Sequence, residues 1–376
     1  MWYRIVFTLA TLLYLSSAGA AVFSATFINP GKSDERFWVS VSDFMAAAAK
    51  SLDIQLEVLY AERDHVRALE LARVVAQREV RPDYLIIVNE KLAAGEMLKV
   101  ADKAAIKTFL LLNKFEGEQA AEFGMPRQKY RHWIGSLTPD NENAGAITAS
   151  ALIDRARSAK QPHSDDKLQL IAIAGDRSTP ASVQRIAGLR NILSKNPDIH
   201  MTQLIYGDWA QERTREQMAQ LLKRHPQTTA VWAANDLMAF GAMEAAEAAG
   251  RKVGHDIFFS GINNSPAAMS AVLDGRLSAL GAGHFTAGGW ALVMLYDYHR
   301  GRDFAEEGLE LRSRLFGLVD RTDAARFNAR YDGGMFAGFD FRRFSKVQQP
   351  QLKHYQFGMS PSCNNADAAA RLSLPH

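Results

Sequence analysis

Cysteine is nearly absent. The 376-residue chain holds one, Cys363, in a polar tail. A lone thiol can form neither an intrachain disulfide nor a multi-cysteine metal site, which leaves an incidental tail residue, a reactive thiol or an intermolecular bridge. Long apolar runs are also missing. Beyond the N-terminus no stretch approaches the ~18 uninterrupted apolar residues of a membrane span. Charge of one sign is scarce: 44 Lys and Arg stand against 41 Asp and Glu, a formal +3 with no basic block. That balance gives no electrostatic footprint for nucleic acid. Catalytic signatures are lacking as well. There is no G-x-S-x-G elbow and no H-E-x-x-H helix. Gly31-Lys32-Ser33 follows a strand-like run as the end of a phosphate loop would, but Thr26 stands where that loop needs glycine. Gly281-Ala282-Gly283 opens like a dinucleotide fingerprint, yet Thr286 takes the place of its third glycine. No catalytic residue, cofactor or metal site follows, and the chain is expected not to be an enzyme.

The N-terminus carries a positive signal. Arg4 precedes an almost wholly apolar run from Ile5 to Leu15, followed by Ser16, Ser17 and Ala18-Gly19-Ala20. A charged start, a short apolar core and an A-x-A-like site describe an export signal, here residues 1–20 with cleavage after Ala20. No cysteine follows the run, so a lipid anchor is excluded.

From Ala25 onward, β-rich runs alternate with helical stretches. Ala25–Ile28, Ile54–Leu59, Tyr84–Val88 and Thr108–Leu112 read as strands, with helices at Glu35–Lys50 and His65–Arg78 between the first three. A polar stretch, Ser136–Asn143, reads as a crossing segment. The pattern then restarts with helix Ala144–Arg157, strand Leu168–Ala174, helix Pro180–Leu193, strand Met201–Tyr206, helix Gln211–Arg224, strand Thr229–Ala233, helix Leu237–Ala249 and strand Ile257–Ser260. Continuous apolar strands between amphipathic helices indicate α/β lobes with parallel sheets covered on both faces. Two such series in tandem predict two Rossmann-like lobes, with a cleft between the carboxyl ends of their strands.

Trp232-Ala233-Ala234-Asn235-Asp236-Leu237-Met238-Ala239-Phe240-Gly241-Ala242 resembles the N-D-x-M-A-x-G-A segment of type 1 periplasmic binding proteins. Gln184-Arg185-Ile186-Ala187-Gly188-Leu189 is similar to the family's R-x-x-G-(F/L) helix, and Asp208-Trp209 to its Asp-aromatic pair. Phe37-Trp38 resembles the aromatic pair opening the first helix, and Asp274-Gly275-Arg276-Leu277 the D-G-x-L before a late strand. The resemblance runs in order from about Ala25 to Arg300. It implies a clamshell whose lobes are joined by three crossing strands. The N-terminal lobe is expected over 21–136 plus 286–315, the C-terminal lobe over 137–285 plus 316–345, and a C-terminal extension over 346–376, loosely ordered beyond about Met359.

Candidate ligand residues follow. Arg185 offers a fork of donors suited to ring hydroxyls. Asn235 both donates and accepts, or caps a helix; Asp236 beside it is the better cap candidate and a second possible contact. Phe37, Trp38 and Trp209 present flat rings to the apolar face of a sugar, or pack in the core. Asn113 ends the fourth strand as a ligand residue or a turn residue. In many sugar binders of the family Asp stands where this chain has Asn263, which argues against a simple aldopentose. His284 either meets the ligand or is structural at the third crossing. The resemblance implies a periplasmic solute-binding protein, monomeric, that closes on a small polar ligand such as a sugar or polyol. It would deliver that ligand to an inner-membrane ABC permease, or present it to a membrane sensor kinase or chemoreceptor as the autoinducer-2 receptor does.

Overall fold

The computed structural model describes residues 22–159, 167–331, 336 and 338–357. The expected export signal, Cys363 and the tail beyond Met359 lie outside these residues.

The first βα series builds one lobe. β1 (Ser24–Asn29), β2 (Gln55–Tyr60), β3 (Tyr84–Ile87), β4 (Lys107–Leu111) and β5 (Trp133–Pro139) alternate with α1 (Arg36–Ser51), α2 (His65–Gln77), α3 (Ala94–Lys103) and α4 (Gly117–Phe123). The strands run parallel in the order β2-β1-β3-β4-β5. β3 is buried along its whole length, because helices cover both faces of the sheet.

The second series repeats the design. α5 (Asn141–Ser158), α6 (Pro180–Ser194), α7 (Gln211–Arg224), α8 (Asp236–Ala248) and α9 (Pro266–Leu273) surround β6 (Leu168–Ala174), β7 (Ile199–Tyr206), β8 (Ala230–Ala233), β9 (Phe258–Ile262) and β10 (Ala279–Ala282). These strands pair in parallel as β7-β6-β8-β9-β10. Two glycines bring α5 and α6 into backbone contact. A Cβ on Gly188 would lie 1.9 Å from the Glu142 carbonyl oxygen, and one on Gly145 2.0 Å from that of Arg185.

The chain then goes back and forth. α10 (Ala287–His299) joins the first-lobe core, β11 (Glu310–Ser313) adds parallel to β5, and β12 (Gly317–Leu318) adds antiparallel to β10. The three expected crossings thus fall after Pro139, after Ala282 and after Ser313. α11 (Arg321–Tyr331) places Ala324 and Phe327 in the second-lobe core.

Two parts of the organisation differ from expectation. Ser136–Asn143 is not simply a crossing loop: its first half belongs to β5, whose Ser136 and Thr138 are buried in the first-lobe sheet. Polar residues on a fully covered strand look like a loop in sequence. The segment expected as the end of the second lobe and a separate extension returns to the first lobe after α11. Phe339, Phe341 and Phe357 are buried beside Trp290 of α10 and Phe44 of α1. Asp297, fully buried on α10, fastens this return. Its carboxylate accepts from Ser345 Oγ at 2.5 Å, from the Lys346 and Val347 amides at 2.7 and 3.2 Å, and from Tyr355 Oη at 3.0 Å.

Candidate functional site

A cavity lies between the lobes, with about 470 Å³ of empty space that includes open solvent. Its walls come from strand ends and helix starts of both lobes, where open α/β sheets bind ligands. Eight of the nine candidate residues line it: Phe37, Trp38, Asn113, Arg185, Trp209, Asn235, Asn263 and His284. Asp236 does not.

Arg185 dominates the second-lobe wall. It projects from α6 at the point where Gly188 lets that helix touch α5. Nε donates to Asn141 Oδ1 at 3.0 Å, Nη1 to the Ala234 carbonyl at 2.7 Å and Nη2 to His284 Nε2 at 3.3 Å. Among the described residues no carboxylate contacts it directly. Burial pushes its pKa down to about 9, partly opposed by the negative charges of Glu90 and Asp236. The guanidinium remains charged at neutral pH.

His284 is stacked between Phe37 and Phe316, with ring centroids 4.5 and 4.4 Å away. Burial, reinforced by Arg185, holds its pKa well below the ordinary 6.5, so the ring is neutral. Because a guanidinium can only donate, Nε2 accepts and the proton sits on Nδ1. That nitrogen is buried and has no partner among the described residues. Trp38 Nε1, on the same cavity, is a second buried donor without a partner among the described residues.

The asparagines divide by role. Asn235 is the N-cap of α8: Oδ1 accepts from the Met238 amide at 2.9 Å, and Nδ2 donates to the Trp209 carbonyl at 3.3 Å. The expectation that Asp236 would be the better cap is therefore corrected. Asp236 lies behind the wall, buried at the first helical position. It accepts from Asn263 Nδ2 at 2.8 Å and Ser265 Oγ at 2.6 Å, and so orients Asn263 toward the cavity. Burial raises its pKa against those bonds. Trp209 stands edge-bonded to Asp176 through Nε1 at 2.8 Å, over Gly175, where a Cβ would meet the ring at 2.1 Å.

Asn113 reaches across the cleft. Its Oδ1 accepts from the Ala181 amide, in the first turn of α6, at 2.9 Å. Nearby, the Lys91 amide donates to Thr179 Oγ1 at 3.1 Å and Gln184 pairs with Glu116. Thr179, the N-cap of α6, makes no capping bond of its own. The first lobe thus caps a second-lobe helix, and the lobes are closed on each other.

Glu35, Arg63, Glu90, Asn141 and Thr179 line the cavity without having been anticipated. Arg63 forks onto Glu35 through Nε and Nη2 and reaches Glu90 Oε1 through Nη1 at 2.6 Å. Burial works against the Arg63 charge, but Glu90 and Glu35 outweigh it and raise the pKa. Burial raises that of Glu90 despite Arg63. Nothing local in the sequence marks this trio, since its members lie 27 and 28 residues apart. Among the described residues no three His, Cys, Asp or Glu side chains group as a metal site, and no helix is long and apolar enough to cross a membrane.

Two parallel-sheeted lobes closing on a polar, aromatic-walled cavity define a clamshell ligand-binding protein. Residues 24–303 match the model of the periplasmic binding protein domain family, and the chain belongs to that family. It is similar to the ribose import binding protein RbsB of Salmonella typhimurium, 26% identical over 253 residues, covering 65% of this chain and 73% of that one. It is also similar to the galactofuranose-binding protein YtfQ of Escherichia coli, 22% identical over 285 residues, covering 74% and 83%. Among solved structures, a periplasmic sugar-binding protein from Pseudomonas fluorescens superposes with a TM-score of 0.82 at 40% identity, covering 91% of this chain and all of that one.

Proposed function

We propose that the protein is a monomeric periplasmic solute-binding protein that closes on a neutral monosaccharide or polyol and delivers it to an inner-membrane ABC transporter. The observation that carries this reading is the charge balance of the cavity. Its lining holds two carboxylates, Glu35 and Glu90, and two guanidiniums, Arg63 and Arg185, among neutral amides and aromatic rings. A neutral ring of hydroxyls, which both donates and accepts, matches such a wall. Aromatic faces supply the apolar complement.

In this reading Arg185, Asn263 and His284 bond the ligand from one side, while Phe37, Trp38 and Trp209 border its ring. Asn113 and Asn235 act mainly by holding the walls. The names of the relatives, which concern ribose, galactofuranose and sugars, support the ligand class. The family's description and the export-like N-terminus, with cleavage after Ala20, support the periplasm.

The test is a thermal-shift screen of mature protein, stripped of co-purified ligand, against pentoses, hexoses and polyols. A ligand at a hundredfold excess over its Kd stabilises a fold by about 2.7 kcal/mol. A clear shift with the sugar recovered unaltered is expected. Shifts only with charged or non-carbohydrate solutes would overturn the reading.

A further inference from the structure

We propose that Glu90 is the ligand acceptor of the first lobe, so that the bound molecule presents a hydroxyl or amine donor to the turn after β3; this rests on the sugar-binding reading above. The turn is strained. Lys91 has φ 48° and Leu92 φ 64°, two successive non-glycine residues in the left-handed region. Such backbone persists only where its surroundings hold it. Here Asn89 does so, buried under the turn. Its Nδ2 donates to the Lys114 carbonyl at 2.9 Å and to Gln119 Oε1 at 2.8 Å, and its Oδ1 accepts from the Ala94 amide at 3.2 Å. Lys91 and Leu92 are themselves exposed, so the strain does not serve to bury them. What the turn does is direct the Glu90 side chain to the cavity, with the residue 8% exposed, while the next amide meets Thr179 of the other lobe.

The carboxylate has capacity to spare. Oε1 takes Arg63, and Oε2 has no partner among the described residues. Glu35 engages the Arg63 guanidinium through both of its oxygens, so Glu90 is not its sole partner, although the Glu90 charge also offsets the effect of burial on Arg63 and Arg185. A second, nearly buried carboxylate beside a satisfied pair is costly unless something bonds it. Two further unpartnered groups, Trp38 Nε1 and His284 Nδ1, border the same cavity. Together they offer two donors and one acceptor, the complement of a polyhydroxyl ring.

The experiment is calorimetry on the full mature chain with D-ribose, D-allose, D-galactose, myo-inositol and D-glucosamine, comparing wild type with Glu90→Gln and Glu90→Asp. The amide variant keeps an acceptor for Arg63 but loses the charge; the shorter carboxylate keeps the charge but withdraws it. Both variants should weaken every probe that binds wild type by about tenfold or more, as expected for a bond to a charged group. A crystal structure of the complex should place a ligand oxygen or nitrogen within hydrogen-bond distance of Glu90 Oε2. Affinities within about twofold of wild type in both variants, or a ligand that leaves Oε2 untouched, would overturn the Glu90 assignment while leaving sugar binding intact. If wild type binds none of the five and the thermal-shift screen finds only charged or non-carbohydrate solutes, the sugar-binding reading itself fails and this assignment falls with it.

Discussion

The two walls of the cleft are built by different means. On the second-lobe wall, side chains are fixed by short-range backbone features. Arg185 stands on a helix seated against its neighbour by glycines, Asn235 caps the helix it opens, and Trp209 lies over Gly175. On the first-lobe wall, Glu35, Arg63 and Glu90 come from three separate loops and hold one another through ion pairs. A wall anchored to backbone is pre-shaped before ligand arrives. A wall anchored by side chains onto side chains can change its chemistry through few substitutions.

The comparison can be broken at four points. The largest expected effect is from Arg185→Ala, which removes the charge of the backbone-anchored wall. Bonds to a charged group contribute roughly 1.5–3 kcal/mol, so affinity should fall about 10- to 150-fold by calorimetry. An unchanged affinity in folded protein would take Arg185 out of the site. Next comes Gly188→Ala. Its Cβ would meet the Glu142 carbonyl oxygen at 1.9 Å, a contact that only separation of α5 and α6 relieves. Overpacking of this kind costs about 1–3 kcal/mol, read as a lower denaturation midpoint. The second wall would loosen while the Glu35–Arg63–Glu90 cluster stays in place.

A third point is His284, where the walls meet. Its folded pKa is depressed below 6.5, so the unfolded chain binds the extra proton first on acidification. Its contribution to stability is therefore fully present above pH 6.5 and declines as pH falls from there toward the folded pKa. The slope is at most about 1.4 kcal/mol per pH unit for one proton. Relative to His284→Gln, wild type should lose melting temperature on going from neutral pH to pH ~5.5. Parallel curves would mean that the folded ring takes up its proton as readily as the unfolded one and is not depressed. The smallest effect belongs to Asn113→Ala, which removes a neutral bond between the lobes. A loss of about 0.5–1.5 kcal/mol, or roughly two- to twelvefold, should fall equally on all ligands, because it acts on closure. A change in selectivity would instead make Asn113 a ligand contact.

Legibility in the sequence follows the same division. Arg185, Asn235 and Trp209 sit in local patterns, so both their place and their neighbourhood can be read. Asn113 is legible as the end of a strand, but its partner amide lies 68 residues away in the other lobe. The cap of α8 is misread from sequence, because Asp236 looks the better cap beside Asn235 until backbone geometry chooses Asn235. Arg63 gives no signal: it lies in a turn with Glu62 where both residues have positive φ, and its partners are distant. The alternation of buried strands and helices reveals both lobes, whereas β5 is hidden by its buried Ser136 and Thr138. The aromatics after α11 have no regular period, since they fill gaps around Trp290 instead of forming one face of an element.

That late return sets an order of assembly. The second lobe has nearly all its parts by the time β10 is made, but the first lobe opens with β1 and closes only when Phe357 covers Trp290. A chain emerging from the ribosome therefore carries a first lobe with an open seam until Phe357 has been made. A core whose last pieces come from the end of the described chain cannot close early, so the order of the elements delays the first lobe relative to the second.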